Sequence, residues 1–192
     1  MALKNYLLAE IPGQKLEVND QFPDFEFYLT DLGNFSLSSL PQKIKIIITL
    51  PTITDYFFAP ELRNFLNSLE RLQETYEDIE SNIVLLTISD DPMLNKNIEN
   101  IEKFKHIRSI NYSLADKEIA GIEFAKTLGI YIPGANFLCY PSVYIVDENN
   151  KIIYVKYADS LLGSLNLAKI NQIILSMLEP SESSYETVLY KK

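Results

Sequence analysis

The chain of 192 residues contains one cysteine, one histidine, six glycines and no tryptophan. The single cysteine, Cys139, excludes an intramolecular disulfide and any metal site built from several thiolates. The single histidine, His106, lies near Lys105 and Arg108 with no cysteine or histidine at ligand spacing, so it reads as a surface residue rather than a metal ligand. Six glycines leave no glycine-rich phosphate loop. Positive charge is also short: 17 Lys and Arg stand against 26 Asp and Glu, a net charge of −9. That balance argues against nucleic acid or an anionic membrane as partner. The longest apolar runs, such as Ile44 to Leu50, are strand-length and interrupted by Lys45, too short for a membrane span. Residues 1–13 include Glu10 and no long apolar stretch, so no secretory signal is expected and the cytoplasm is the expected compartment. No cofactor is implied. The Asn-x-Ser triplets at Asn34 and Asn111 read as chance in such a chain.

What is present is apolar material: 47% of residues are hydrophobic, enough for one well-buried core. A single domain is expected over 1–178, with a polar tail at 179–192. Glu26 to Thr30 reads as a short strand, Asp31 to Ser36 as a turn and Ser36 to Leu40 as a helical segment ended by Pro41. Lys43 to Leu50 is nearly continuous in β-branched and apolar residues, as a strand covered on both faces should be. Glu61 to Tyr76 places Leu62, Phe65, Leu66, Leu69, Leu72 and Tyr76 at helical spacing, opposite Arg63, Glu70, Arg71 and Glu74. Ile83 to Ser89 is a second buried strand, followed by a turn at Asp90-Asp91-Pro92 and a helix near 93–104. A short strand at 107–112 and a helix at 117–128 closed by Gly129 come next. Glu148-Asn149-Asn150 separates two strands, 141–147 and 151–157, as a hairpin turn, because asparagine accepts positive φ. A helix over 165–178 turns Ile170, Ile173, Ile174, Met177 and Leu178 to one side.

Parallel crossovers followed by an antiparallel pair make an α/β chain with a central mixed sheet and helices on both faces. The segment Pro51-Thr-Ile-Thr-Asp-Tyr-Phe-Phe-Ala-Pro-Glu-Leu-Arg-Asn-Phe65, between strand and helix, resembles the active-site segment of the thiol peroxidases, a peroxiredoxin branch of the thioredoxin fold. Val18-Asn-Asp-Gln-Phe-Pro-Asp-Phe25 resembles the N-terminal extension of that family, with Asn19 in place of its glycine. Pro141-Ser-Val-Tyr-Ile-Val-Asp147 resembles the thioredoxin-fold strand that opens on a cis-proline, so Tyr140–Pro141 is expected to be cis. The resemblance spans about residues 16 to 178 and implies a thioredoxin-like fold with a peroxiredoxin-type N-terminal extension.

It also implies where peroxide chemistry would sit, and those positions are changed. The family's peroxidatic cysteine maps to Phe58, its threonine to Asp55, its helical arginine to Arg63 and its sheet arginine to Pro141. The resolving cysteine maps near Glu99. A phenyl ring cannot attack peroxide, and a carboxylate at Asp55 would raise a neighbouring thiol's pKa rather than lower it. Pro60 is tolerated only in a first helical turn, which moves the helix start toward Ala59.

Three readings follow for Tyr56, Phe57, Phe58 and Tyr140: core filling, the lining of a small-molecule pocket, or an interface with a second copy or another protein. Cys139 is either a small buried apolar residue or a displaced redox thiol, which would need exposure and a positive setting. The leading expectation is a peroxiredoxin-like protein without peroxidase activity, serving as a binding or assembly module. A redox protein using Cys139 is the alternative.

Overall fold

The computed structural model describes residues 14–29, 33–51, 60–76, 79–89, 108–113, 118–133, 139–161 and 163–178. The helix expected near 93–104, His106 and the tail at 179–192 lie outside the described residues.

Seven strands are described: β1 (Glu26–Leu29), β2 (Gly33–Ser36), β3 (Ile44–Leu50), β4 (Ile83–Ser89), β5 (Arg108–Ser113), β6 (Ser142–Val146) and β7 (Ile152–Tyr157). The helices are α1 (Pro60–Thr75), the short α2 (Ile79–Asn82), α3 (Glu118–Thr127) and α4 (Leu167–Leu178). Five strands form one mixed sheet in the order β5-β4-β3-β6-β7. β3 is parallel to β4, and β4 to β5, whereas β6 runs antiparallel to both β3 and β7. This is the thioredoxin plan, with β3 at the centre.

Every residue of β3 is buried, because helices cover both sheet faces. Ile44, Ile46, Ile48 and Leu50 join Leu62, Phe65 and Leu69 of α1 and Leu167, Ile170 and Ile174 of α4 in one cluster. Ile47 instead joins Val84, Leu86, Ile88 and Tyr144 of the sheet, with Ala125 of α3 and Leu128 just beyond it, in the other cluster. The alternation of side chains along a strand sorts one apolar run into two cores. Lys45, on the Ile47 side, is 1% exposed and donates to the Asp147 carbonyl at 3.3 Å. Its burial pushes its pKa down, against the opposing pull of Asp147, Glu148 and Asp24.

Local chemistry sets the element ends. Pro60 occupies the first position of α1, where its missing N–H costs nothing. Gly129 ends α3 at φ +69°, with its N–H donating to Lys126 and that of Ile130 to Ala125, the left-handed close that suits glycine. In the β6–β7 turn, Asp147 Oδ1 accepts from the N–H groups of Asn149 and Lys151, each at 2.9 Å, and Asn150 takes φ +60°. Asn19 likewise takes φ +80°, so asparagine meets the turn geometry there.

The structure departs from the sequence reading in places. The span read as a turn before Ser36 contains β2, which pairs with β1 from Glu26↔Ser36 to Leu29↔Gly33. Residues 37–39 form a single 3₁₀ turn rather than a helix, since Pro41 leaves no room for a second turn. Met177, expected on the apolar face of α4, is 38% exposed. It belongs to the last turn of α4 and lines a cleft of about 470 Å³ with Lys43, Ile44, Asn82, Asp147, Glu148 and Leu178. No helix among the described residues is long and apolar enough to cross a membrane.

Candidate functional site

The C-terminal end of β3 and the start of β6 meet above the centre of the sheet. β3 delivers Thr49, Leu50 and Pro51 to this point, and the segment 52–59 leads from there to α1. Asp55, Tyr56, Phe57 and Phe58 lie within 52–59, and Glu99 within 90–107, outside the described residues. The described part of the site is therefore its floor: Thr49, Leu50, Pro51, Cys139, Tyr140, Pro141 and Ser142.

That floor is closely hydrogen-bonded. Cys139 is fully buried, and its Sγ donates to the Leu50 carbonyl at 3.2 Å. It also forms an isolated bridge with Tyr131. The N–H of Tyr140 donates to the Ile130 carbonyl at 2.8 Å. Thr49 Oγ1 donates to the Tyr140 carbonyl at 2.9 Å and accepts from the Ser142 N–H at 2.9 Å. The hydroxyls of Thr49 and Ser142 are 2.6 Å apart, and the Pro141 carbonyl accepts from the Ala158 N–H at 3.0 Å. Buried polar groups are thus paired across the seam, as their desolvation requires.

This bonding bears on the expected cis-proline. No cis peptide bond occurs among the described residues, so Tyr140–Pro141 is trans, contrary to the sequence expectation. Trans is the form favoured by roughly 0.5–1 kcal/mol for an X–Pro bond. With Tyr140 held through both its N–H and its carbonyl, nothing here selects the other isomer.

The remaining mapped positions are dispersed. Arg63 is exposed on α1, whereas Pro141 is buried at the start of β6. Tyr140 is 2% exposed and belongs to the core cluster on the α3 side of the sheet; its burial raises the hydroxyl's pKa. A thiol becomes a nucleophile when it is accessible and its thiolate is stabilised by positive charge or a helix N-terminus. Cys139 is instead sealed, and its bond to Leu50 uses the proton that ionisation would remove.

Sequence reasoning missed Thr49, Ser142 and Glu61. A hydroxyl inside an otherwise apolar strand was the available signal for Thr49, since such a group must find a partner when buried. Glu61 Oε1 accepts from the Leu167 N–H at 2.8 Å and the Ser164 hydroxyl at 3.0 Å. It thereby caps α4 from the first turn of α1, a link between distant segments that periodicity does not reveal.

Comparison with known proteins agrees with this architecture. The Redoxin family matches residues 17–174. The chain is 30% identical to a thiol peroxidase of Oceanobacillus iheyensis over 146 residues, 76% of this chain and 80% of that one. It is 26% identical to a thiol peroxidase of Bacillus subtilis over 164 residues, covering 82% and 86% respectively. Among solved structures, a thiol peroxidase from Chromobacterium violaceum aligns with a TM-score of 0.60 at 16% identity, covering 86% of this chain and 89% of that one. A peroxiredoxin-like protein from Aquifex aeolicus aligns equally well, with TM-score 0.60, 17% identity and coverage of 86% and 90%. With its mixed sheet, its β3–β6 seam and this match along most of its length, the chain belongs to the Redoxin family, in the peroxiredoxin part of the thioredoxin-fold superfamily.

Proposed function

We propose that this chain is a redoxin that has given up peroxide reduction and acts in the cytoplasm as a binding or assembly module, pairing with a second copy or with another protein. The observation that carries this reading is the state of its only thiol. Cys139 is 0% exposed and its Sγ donates to the Leu50 carbonyl, while the position matching the family's reactive cysteine is Phe58. Relatives named thiol peroxidase supply the ancestry, and the sequence at Asp55, Phe58, Glu99 and Pro141 supplies the departure from it. Tyr56, Phe57 and Phe58 are the contact residues of this reading, since aromatic side chains dominate interface centres.

Dilute hydrogen peroxide, followed by intact-mass measurement, tests the loss of chemistry. The expected result is an unchanged mass while an exposed control thiol oxidises. Stoichiometric sulfenic acid, abolished in Cys139→Ser, would overturn the reading in favour of a one-cysteine redox protein. The location of Cys139 beside the β3 end is the observation on that side. For the assembly role, sedimentation of the native chain and of Phe57→Ser is decisive. Concentration-dependent association weakened by the substitution is expected, and a monomer indifferent to it would count against the role.

A further inference from the structure

Helix α4 ends at the wall of a cleft. Met177 and Leu178, in its last turn, line a space of about 470 Å³ together with Ile44, the first residue of β3. Lys43, Asp147 and Glu148 stand around the same space. It lies at the opposite end of β3 from Leu50, on which Cys139 rests.

The lining has two characters. Ile44 is buried, Leu178 half-buried and Met177 exposed. Met177 and Val18 are the exposed large apolar side chains among the described residues. Beside this apolar strip stand two carboxylates. Asp147 Oδ1 is held by the N–H groups of Asn149 and Lys151, and Glu148 is exposed. Neither forms an ion pair among the described residues. The buried Lys45 ammonium reaches only the Asp147 carbonyl oxygen, and Lys43 is exposed. An apolar strip edged by carboxylates suits a segment that carries aliphatic or aromatic side chains next to lysines.

Such a segment follows in this chain. Residues 179–192, outside the described ones, read Glu-Pro-Ser-Glu-Ser-Ser-Tyr-Glu-Thr-Val-Leu-Tyr-Lys-Lys. Pro180 disfavours another helical turn beyond Leu178. Residues 179–186 carry glutamates and no lysine, whereas Val188-Leu189-Tyr190 is followed at once by Lys191 and Lys192. The ten-residue step from Leu178 to Val188 spans up to about 33 Å, enough to turn back on the cleft. A tether that short gives an effective concentration of about a millimolar. A contact too weak to persist between separate molecules is therefore kept within one.

We propose that the cleft seats residues 187–192 of the same chain, with the Val188–Tyr190 stretch against Ile44, Met177 and Leu178, and Lys191 and Lys192 facing Asp147 and Glu148. The seating is independent of the state of Cys139 and of any contact made by Tyr56 to Phe58.

Methyl NMR on the full chain tests it, because the chain has three methionines and Met177→Leu identifies the Met177 signal. Leu189→Ser and Tyr190→Ser should shift that signal at low salt, and Tyr185→Ser should not. Glu148→Lys should also shift it, and adding Lys191→Glu and Lys192→Glu to that variant should bring it back toward the native position. Glu148 is exposed and the other changes lie beyond α4, so the core is left intact. A Met177 signal indifferent to Leu189→Ser and Tyr190→Ser would overturn the seating. A response that the charge exchange does not restore would overturn the pairing with Asp147 and Glu148. A response that grows with protein concentration would place the segment in a neighbouring copy's cleft, and would overturn seating within one chain.

Discussion

The Oγ1 of Thr49 and the Oγ of Ser142 stand 2.6 Å apart, both wholly buried, on neighbouring antiparallel strands. The same Thr49 oxygen serves the Tyr140 carbonyl and the Ser142 N–H. One hydroxyl therefore holds together the seam on which Cys139 rests. Thr49→Val keeps the shape and removes the hydrogen bonds, leaving buried partners unpaired. It should cost about 2–3 kcal/mol, read from the midpoint of urea unfolding. Thr49→Ser, which keeps the hydroxyl, should cost clearly less.

Restoring the family's cysteine at a single position should not restore its chemistry. In Phe58→Cys the new thiol shares its segment with Asp55 rather than threonine, and Pro141 still stands where the family has arginine. A carboxylate disfavours thiolate, and a proline carries no charge to stand in for the arginine. The expected second-order rate with hydrogen peroxide is within about tenfold of a small-molecule thiol at the same pH. Stopped-flow measurement checks this, and a rate thousands of times higher would show that the pocket survives.

Glu61 joins the first turn of α1 to the start of α4 through Leu167 and Ser164. Removing that carboxylate leaves a helix N-terminus without its acceptor. Glu61→Ala should lower stability by about 1 kcal/mol. The loss should appear first as faster hydrogen exchange at the beginning of α4, with β3 and β4 unaffected.

Alkaline pH should separate groups whose contributions run in opposite directions, two tyrosines and one lysine. Burial raises the hydroxyl pKa of Tyr157, and that of Tyr144 well above 10.0. In the unfolded chain both ionise near 10.0, so above that pH the folded state binds more protons and stability falls as pH rises. Below it, their contribution is fully present. Lys45 runs the other way, because its folded value lies below 10.5. Between that lowered value and 10.5 the unfolded chain holds more protons, so its contribution improves with pH. Urea unfolding at about pH 9 and about pH 11 should show a net loss. Tyr157→Phe should reduce that loss. Lys45→Met should stabilise the chain by about 1 kcal/mol at pH 7, an advantage that shrinks toward pH 11.

Most of the sheet was legible because β3, β4 and β6 are nearly continuous apolar runs whose Ile, Leu and Val side chains need no special partner. α1 and α4 were legible for a related reason: Leu62, Phe65 and Leu69, and Ile170 and Ile174, repeat at helical spacing and fill one core. β2 was not, because Gly33-Asn-Phe-Ser36 carries little apolar signal and exists as a strand through pairing with β1. The trans bond before Pro141 was hidden too, since it goes with a hydrogen bond from Tyr140 to Ile130 and one from Thr49 to Tyr140 that sequence neighbours do not announce. For the candidate site, the sequence marked the substitutions at Asp55, Phe58 and Pro141. The burial of Cys139 could come only from the packing of segments 89 residues apart.

The sealed position of Cys139 makes it a stopwatch inside the protein. A thiol held against Leu50 between β3 and β6 meets an alkylating reagent only when that seam parts. With reagent in excess, the labelling rate of the native chain reports how often the seam opens, with no competing thiol to subtract. A ligand or partner that grips this end of the sheet would slow the clock, so candidates can be screened without any enzymatic activity to follow.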